Sequence, residues 1–385
     1  MQRGTGHDEL ASRCRRASRM MEEAGLDLVL ATTEPELRWL CGFHTPFWQS
    51  PTRPWFALLD LAGDVHAVIP AIGEVCMKKG RTASIRTWTS PAPADEGVTL
   101  LAGRIGELAG PRARIGISCG PETHLRMPLG DHARLLGLLP DVTWQDATPL
   151  WRRLVTIKGE EEIGRIAIAA GCTCDAFDAL FPKLRPGLSE REVFRMMRME
   201  ALSAGLDEIP YLVGGAGPGG YGDIISPPGD RALADGDVLM LDTGATFDGY
   251  FCDFDRNFAI GRPDDAVRSV YARVHEALEA GLEAARPGIA CCELFGAMQS
   301  ILVQGGGGDG AVGRLGHGVG IQLTEWPSIT AGDRTVLEPG MVLALEPGLA
   351  FGDRKAMVHE ENIVVRDKGA ELLTRRAPAE IPVVR

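Results

Sequence analysis

Residues 238–261 (VLMLDTGATFDGYFCDFDRNFAIG) constrain this chain more than any other stretch. They read as two extended, largely apolar runs around a turn at Phe247-Asp248-Gly249. Three acids interrupt the apolar pattern. Asp242 and Asp253 stand on opposite arms, and the turn brings them face to face. Asp255 follows Asp253 by two residues, so strand pleating turns it to the same face, with Arg256 on the other. Three carboxylates on one face of an apolar hairpin repel one another. They persist only if cations, protons or arginine neutralise them.

The chain that carries this hairpin is long enough, at 385 residues, for two or three domains. Its 45% apolar and 24% charged residues are ordinary for a globular protein. A formal charge of −12, with no basic run among aromatics, argues against nucleic acid or an anionic membrane as partner. No stretch approaches the roughly 18 apolar residues of a membrane span, and residues 1–10 have no apolar signal core, which points to the cytoplasm. The nine cysteines are scattered without a CxxC pair, so neither a disulfide framework nor a zinc knot is indicated.

Strand and helix signals alternate in the first 150 residues. A helix over 9–25 stops at Gly25, a strand follows at 26–32, and a hairpin turns at Ala62-Gly63-Asp64 within 54–70. Strands at 113–119 and 141–147 flank a helix near 121–138, which makes an α/β domain. Residues 154–184 read as one long helix that opens the second domain, 151–385, and Ser189 caps another helix. In 264–288, Val267, Val270, Tyr271, Val274, Leu278 and Leu282 form one helical stripe. Trp48 and Trp55 suit either their own core or a pocket across a dimer.

Further acids recur in apolar settings. Glu346 interrupts a strand before Pro347-Gly348, and Glu361 precedes the apolar run that starts at Asn362. His317 sits between glycines in LGHGVG, after the glycine run 305–308, and close backbone approach there suits a ligand in a cramped site. Read alone, Asp242 suits a turn and His317 a satisfied core histidine. Together, four carboxylates and one imidazole make a hard ligand set for two divalent ions of the Mn, Fe, Co or Zn type. Their charges balance, and two such ions roughly 3.5–4 Å apart can share a hydroxide that attacks a carbonyl.

These residues resemble the pita-bread metallopeptidases: methionine aminopeptidase, Xaa-Pro aminopeptidase, prolidase and creatinase. LVLATTEPELRWLCGF (28–43) is similar to the N-terminal domain of the creatinase/prolidase branch, and LVTIKGEEEIGRIAIAAG to the helix that opens the catalytic domain. DGDVLMLDTGATFDGYFCDFDR, LGHGVG, ALEPGLAF and VHEENIVV resemble the metal-ligand motifs in order. The resemblance implies an α+β pita-bread catalytic domain behind a smaller α/β domain spanning 1–150. It implies Asp242, Asp253, His317, Glu346 and Glu361 as dinuclear ligands. It further implies a short-peptide or other small-molecule substrate and a homodimer. Glu346, Asp255 and Glu325 become the candidate catalytic residues, and Trp326, Thr324, Tyr211 and His359 the candidates facing substrate.

The chain departs from the proline-peptidase pattern at several places. Thr324 replaces a histidine before Glu325, and Ile225 replaces another before Pro228. Asp255 stands for a threonine, and His359 for an arginine two residues before the last glutamate. Threonine is no substitute for an imidazolium donor, and isoleucine cannot donate at all, which points away from efficient Xaa-Pro cleavage. Three readings stay open. One is a metal-dependent amide hydrolase in which Glu346 shuttles protons. The second is a non-peptidase relative, either a dimethylsulfoniopropionate lyase with Asp255 as base or an ectoine-type ring hydrolase. The third is an idle, metal-stabilised binding module.

Overall fold

The computed structural model describes residues 3–50, 53–304 and 313–385. The glycine run 305–308 lies outside the described residues. The chain divides into two compact units, residues 1–154 and 155–385.

In the first unit α1 (His7–Ala24) buries Leu10, Cys14, Ala17 and Met21 on one stripe and ends at Gly25, whose φ of 65° suits a left-handed cap. Strand β1 (Leu28–Ala31) is buried throughout, and α2 (Glu34–Cys41) starts with a Thr33–Glu36 capping box. The predicted hairpin is β2 (Phe56–Asp60) and β3 (Val65–Pro70), and Asp60 Oδ1 accepts from the Asp64 amide across its turn. After the short α3 (Glu74–Met77) come β4 (Ser84–Trp88), α4 (Val98–Ala109), β5 (Arg114–Ile117), α5 (Leu129–Leu138) and β6 (Thr143–Asp146). The strands form one sheet in the order β4-β3-β2-β1-β5-β6. Trp48 and Trp55 pack on Phe43 at ring separations of 6.1 and 5.1 Å, so ordinary packing within their own unit occupies both.

The helix expected over 154–184 is broken. Helix α6 (Thr148–Thr156) stops, and α7 (Glu160–Leu180) begins after a Gly159 cap. Between them Ile157 bridges Met341, and the Lys158 amide donates to the Gly340 carbonyl at 3.0 Å. A tertiary backbone bond takes the donor that a continuous helix would have used, which periodicity cannot foresee. Helix α8 (Glu190–Ser203) is capped by Ser189 as expected.

Strands β7 (Glu208–Pro218), β8 (Asp237–Phe247) and β9 (Tyr250–Ile260) follow, then the helices α9 (Asp265–Ala284) and α10 (Cys291–Leu302), which pack on each other. The chain continues through β10 (Gly316–Gly318), β11 (Glu325–Ser328), β12 (Val342–Leu345), β13 (Gly348–Phe351), β14 (Lys355–Val358), β15 (Glu361–Arg366), β16 (Gly369–Leu372) and β17 (Val383–Val384). One sheet runs β17-β9-β8-β7 and another β11-β10-β12-β15-β16.

Strand alternation sorts the side chains of these two sheets. Leu239, Leu241 and Ala245 of β8 and Cys252, Phe254 and Phe258 of β9 pack with Phe177 of α7 and Val193 of α8. Leu343, Leu345, Ile363 and Val365 of the other sheet pack with Val274 and Leu278 of α9 and Met298 of α10. Each sheet therefore keeps one apolar face under a helix pair. The residues of opposite parity, Asp242, Asp253 and Asp255 on one sheet and His317, Glu346 and Asn362 on the other, are left to the remaining faces.

Candidate metal centre

The β8–β9 hairpin pairs Asp242 with Asp255 and Gly244 with Asp253. The three acids thus share a face, as the two-residue period requires. Tyr211 of β7 pairs with Gly244, and burial, with the neighbouring acids Asp242 and Asp253 adding to it, raises its phenol. Gly244 has to be bare: a Cβ there would meet Leu323 Cδ1 at 2.2 Å and Tyr211 Cβ at 3.0 Å. In the second sheet His317 pairs with Ala344, and Leu345 pairs with Glu361. Glu346 and Glu360, one step outside that last pair, therefore stand side by side.

Asn362 ties the two sheets together at this point. Its Oδ1 accepts from the Asp253 amide at 2.9 Å, and its Nδ2 donates to the Asp253 carbonyl at 2.5 Å. Asp255 Oδ1 accepts from the Glu360 amide at 2.7 Å. His317, 2% exposed, donates from Nδ1 to the Gly318 carbonyl at 2.7 Å, which leaves the Nε2 lone pair facing the acids. That Nε2 lies 3.4 Å from Asp253 Oδ2 and 3.9 Å from Glu346 Oε1. One ligand atom each of Asp253, His317 and Glu360 fall within 4.8 Å of one another.

Burial drives the electrostatics. It pushes the Asp253 carboxyl up to about 8 against the pull of the Arg314 guanidinium. Burial first and acidic neighbours second raise Asp242 and Glu360 well above the usual carboxylate range. Glu346 rises for the same first reason, although His317 and Arg314 pull it down. Burial lowers His317, which keeps its imidazole neutral. Asp242 Oδ1, Asp253 Oδ1 and Glu360 Oε1 are buried with no hydrogen-bond partner among the described residues. Convergent unpartnered carboxylate oxygens around a bare imidazole nitrogen are costly alone and fit hard divalent cations.

The structure gathers Asp242, Asp253, His317 and Glu346 at this centre but not Glu361. Glu361 shares the parity of the helix-covered Ile363 and Val365, and both its oxygens are engaged. Arg256 Nη2 donates to Oε2 at 3.0 Å, and the Ala377 amide donates to Oε1 at 2.9 Å. Glu360 takes the inward position instead. The signal that finds it is parity: counting by two from the apolar residues places Glu360, not Glu361, beside Glu346.

Three other expectations change. Asp255 is buried with both oxygens occupied, by the Glu360 amide and by Asn257 Nδ2 at 2.8 Å, so it positions the centre and is not open as a base. Glu325 forms a buried pair with Lys158 Nζ at 2.6 Å and accepts from the Gln322 amide, so it is a structural acid. His359 is buried behind Asp255 and stacks on His275 of α9 at 5.5 Å, away from any open side. Thr324 is exposed and its hydroxyl accepts from Arg314 Nη2 at 3.4 Å. Trp326 is half-buried, and its carbonyl accepts from the Thr156 hydroxyl at 3.5 Å. Ile225 is 73% exposed. Arg314 and Asn362, like Glu360, belong to the centre only through contacts made in the folded chain.

Comparison with known proteins places this geometry. Residues 164–367 match the model of metallopeptidase family M24, more than half of the chain. This chain belongs to metallopeptidase family M24. Its residues 13–154 match the creatinase/prolidase N-terminal domain. A Mycobacterium tuberculosis relative named probable dipeptidase PepE is 30% identical over 380 residues, 97% of this chain and 96% of that one. The crystal structure of dipeptidase PepE from Mycobacterium ulcerans superposes with a TM-score of 0.85 at 27% identity, covering 99% of each chain. A prolidase structure from Thermococcus sibiricus reaches a TM-score of 0.87 at 24% identity, covering 99% of this chain and 100% of that one. The expected pita-bread fold and its N-terminal partner domain are borne out, and the M24 chain is a hydrolase of the metallopeptidase class.

Proposed function

We propose that this M24 chain is a dipeptidase that uses two divalent cations held by Asp242, Asp253, His317, Glu346 and Glu360. The observation that carries the proposal is the set of unpartnered carboxylate oxygens on Asp242, Asp253 and Glu360 beside the bare Nε2 of a neutral His317. Divalent cations bound there supply positive charge that polarises a carbonyl and lowers the pKa of an attacking water. The protein's own groups do the rest. Asn362 and Asp255 hold the Asp253 backbone and the Glu360 amide, so the ligand atoms need no reorganisation. Glu346, with a side chain 23% exposed, offers the carboxylate that takes the water's proton and returns it to the leaving nitrogen, while Arg314 holds its Oε1.

The names of the mycobacterial and archaeal relatives support short peptides as substrates. The lyase reading loses its base, because Asp255 has no free oxygen for a substrate proton. The test is turnover of a dipeptide panel, with and without proline, by protein loaded with Mn²⁺, Co²⁺ or Zn²⁺. Dimethylsulfoniopropionate and a cyclic amidine serve as the other arms. Dipeptide hydrolysis that chelation abolishes is expected. Turnover confined to either of the other two compounds overturns the proposal.

A further inference from the structure

The second unit carries another hollow, and its lining holds none of the acids of the centre. It is a cleft of about 570 Å³ between the end of β9, the start of α9 and the segment 379–385 that carries β17. That volume lies within the roughly 300–1,000 Å³ of small-molecule sites. Three guanidinium groups line it, those of Arg262, Arg268 and Arg385, against one carboxylate side chain, Glu380. All four residues are exposed, and none of them is in an ion pair among the described residues. Arg268 Nη2 donates to the Pro263 carbonyl at 2.6 Å, which holds that side chain along the first turn of α9. Asp264, the acid nearest in the chain, is turned to the Val267 amide as the cap of α9. In a chain of formal charge −12 the cleft is a local concentration of positive charge.

The rest of the lining is apolar. Tyr271 and Ile381 belong to the core beneath, and Val383, 40% exposed, stands open beside them. The Tyr271 hydroxyl donates to the Pro378 carbonyl at 2.7 Å, so its ring and not its polar tip supplies the wall. The same ring lies 5.6 Å from His359, whose Nδ1 is 3.9 Å from Asp255 Oδ1. Two side chains thus stand between the cleft and the support of the centre. An inorganic anion would engage the arginines and leave the apolar wall wet. A neutral apolar molecule would cover the wall and give the guanidinium forks nothing to bind. The lining as a whole suits a ligand with both parts.

We infer that this cleft is a second binding site, separate from the metal centre, for a small organic anion: a carboxylate or phosphate group on an apolar body. The inference does not rest on the dipeptidase reading. The test is titration calorimetry of metal-loaded wild type and of Asp253→Asn with 4-phenylbutyrate, phenylphosphonate, 4-phenylbutyramide and inorganic phosphate. Asp253→Asn separates the cleft from anions that seat on the metals. At least one of the two organic anions should bind both proteins, and the amide and inorganic phosphate should bind about tenfold weaker or worse. The tighter of the two heads tells a carboxylate ligand from a phosphate one. Arg262→Gln and Arg268→Gln should each raise the Kd about tenfold, the scale of a lost charge-assisted bond, with metal content unchanged. If Arg268→Gln disturbs α9, Arg262→Gln still decides, because Arg262 releases no bond within the chain. Binding that vanishes in Asp253→Asn and survives Arg262→Gln belongs to the metal centre and overturns the inference. Amide held as tightly as acid, inorganic phosphate held as tightly as phenylphosphonate, or no binding of either organic anion at millimolar concentration overturns it as well.

Discussion

Asp253→Asn should stabilise the metal-stripped protein and cripple the metal-loaded one. The buried Asp253 carboxyl titrates at about 8 in the folded chain against an ordinary 3.8. A carboxyl raised on folding binds its proton more tightly in the native state. Its contribution is therefore fully present below about pH 4 and is lost as pH rises towards 8. Each pH unit in that window costs about 1.4 kcal/mol, so two units, from pH ~5.5 to ~7.5, cost ~3 kcal/mol. Asparagine has no proton to lose, so its melting temperature should fall less steeply, by the share that Asp253 contributes beside the raised Asp242, Glu346 and Glu360. At about 2–4 °C per kcal/mol for a unit of this size, chelated wild type should melt at least ~6–12 °C lower at the higher pH, and the variant should narrow the gap by about that amount. With Mn²⁺ the order reverses, since the charge that burdens the empty centre holds the ion. The assay is thermal unfolding with EDTA or excess metal at both pH values. A chelated wild type whose melting temperature does not fall across the window refutes the reasoning, as does a variant with the same slope.

Three further outcomes separate the centre from its supports. Glu360→Gln should cut metal-dependent turnover by about 10²-fold or more and, like Asp253→Asn, stabilise the chelated protein near neutral pH, whereas Glu361→Gln should retain turnover and lose ~3 kcal/mol by stranding Arg256. Parallel kinetics and denaturant titrations distinguish them, and the opposite pattern would restore Glu361 to the ligand set. Lys158→Met should cost about 3–5 kcal/mol by leaving Glu325 buried and unpaired, with metal content by elemental analysis unchanged. Asn362→Ala should cost ~2–4 kcal/mol, because the Asp253 amide and carbonyl both lose a buried partner, and should weaken metal retention during dialysis.

Much of this was legible before any coordinates. Asp242, Asp253 and His317 stand out because charge interrupts apolar strands and because glycines flank the imidazole. The second Glu pair was harder. Glu360 and Glu361 are adjacent and chemically alike, so the choice between them turns on which strand face meets α9 and α10. Glu325 looked catalytic from its neighbours in the chain, yet its partner, Lys158, lies 167 residues away. Arg314 drew no notice because an arginine in a loop is unremarkable until its contact with Glu346 is seen.

Local chemistry, then, settles which segments pleat or coil, that the hairpin acids need neutralising, and which family the chain joins. Those follow from periodicity, turn residues and charge, and each acts over a few positions. Which carboxylates converge, which are sealed into buried ion pairs, and which cation faces solvent depends on contacts between residues more than a hundred positions apart, as Asn362 against Asp253 shows. Side-chain parity is read one strand at a time, but its meaning appears only when a second sheet and a helix pair claim the two faces.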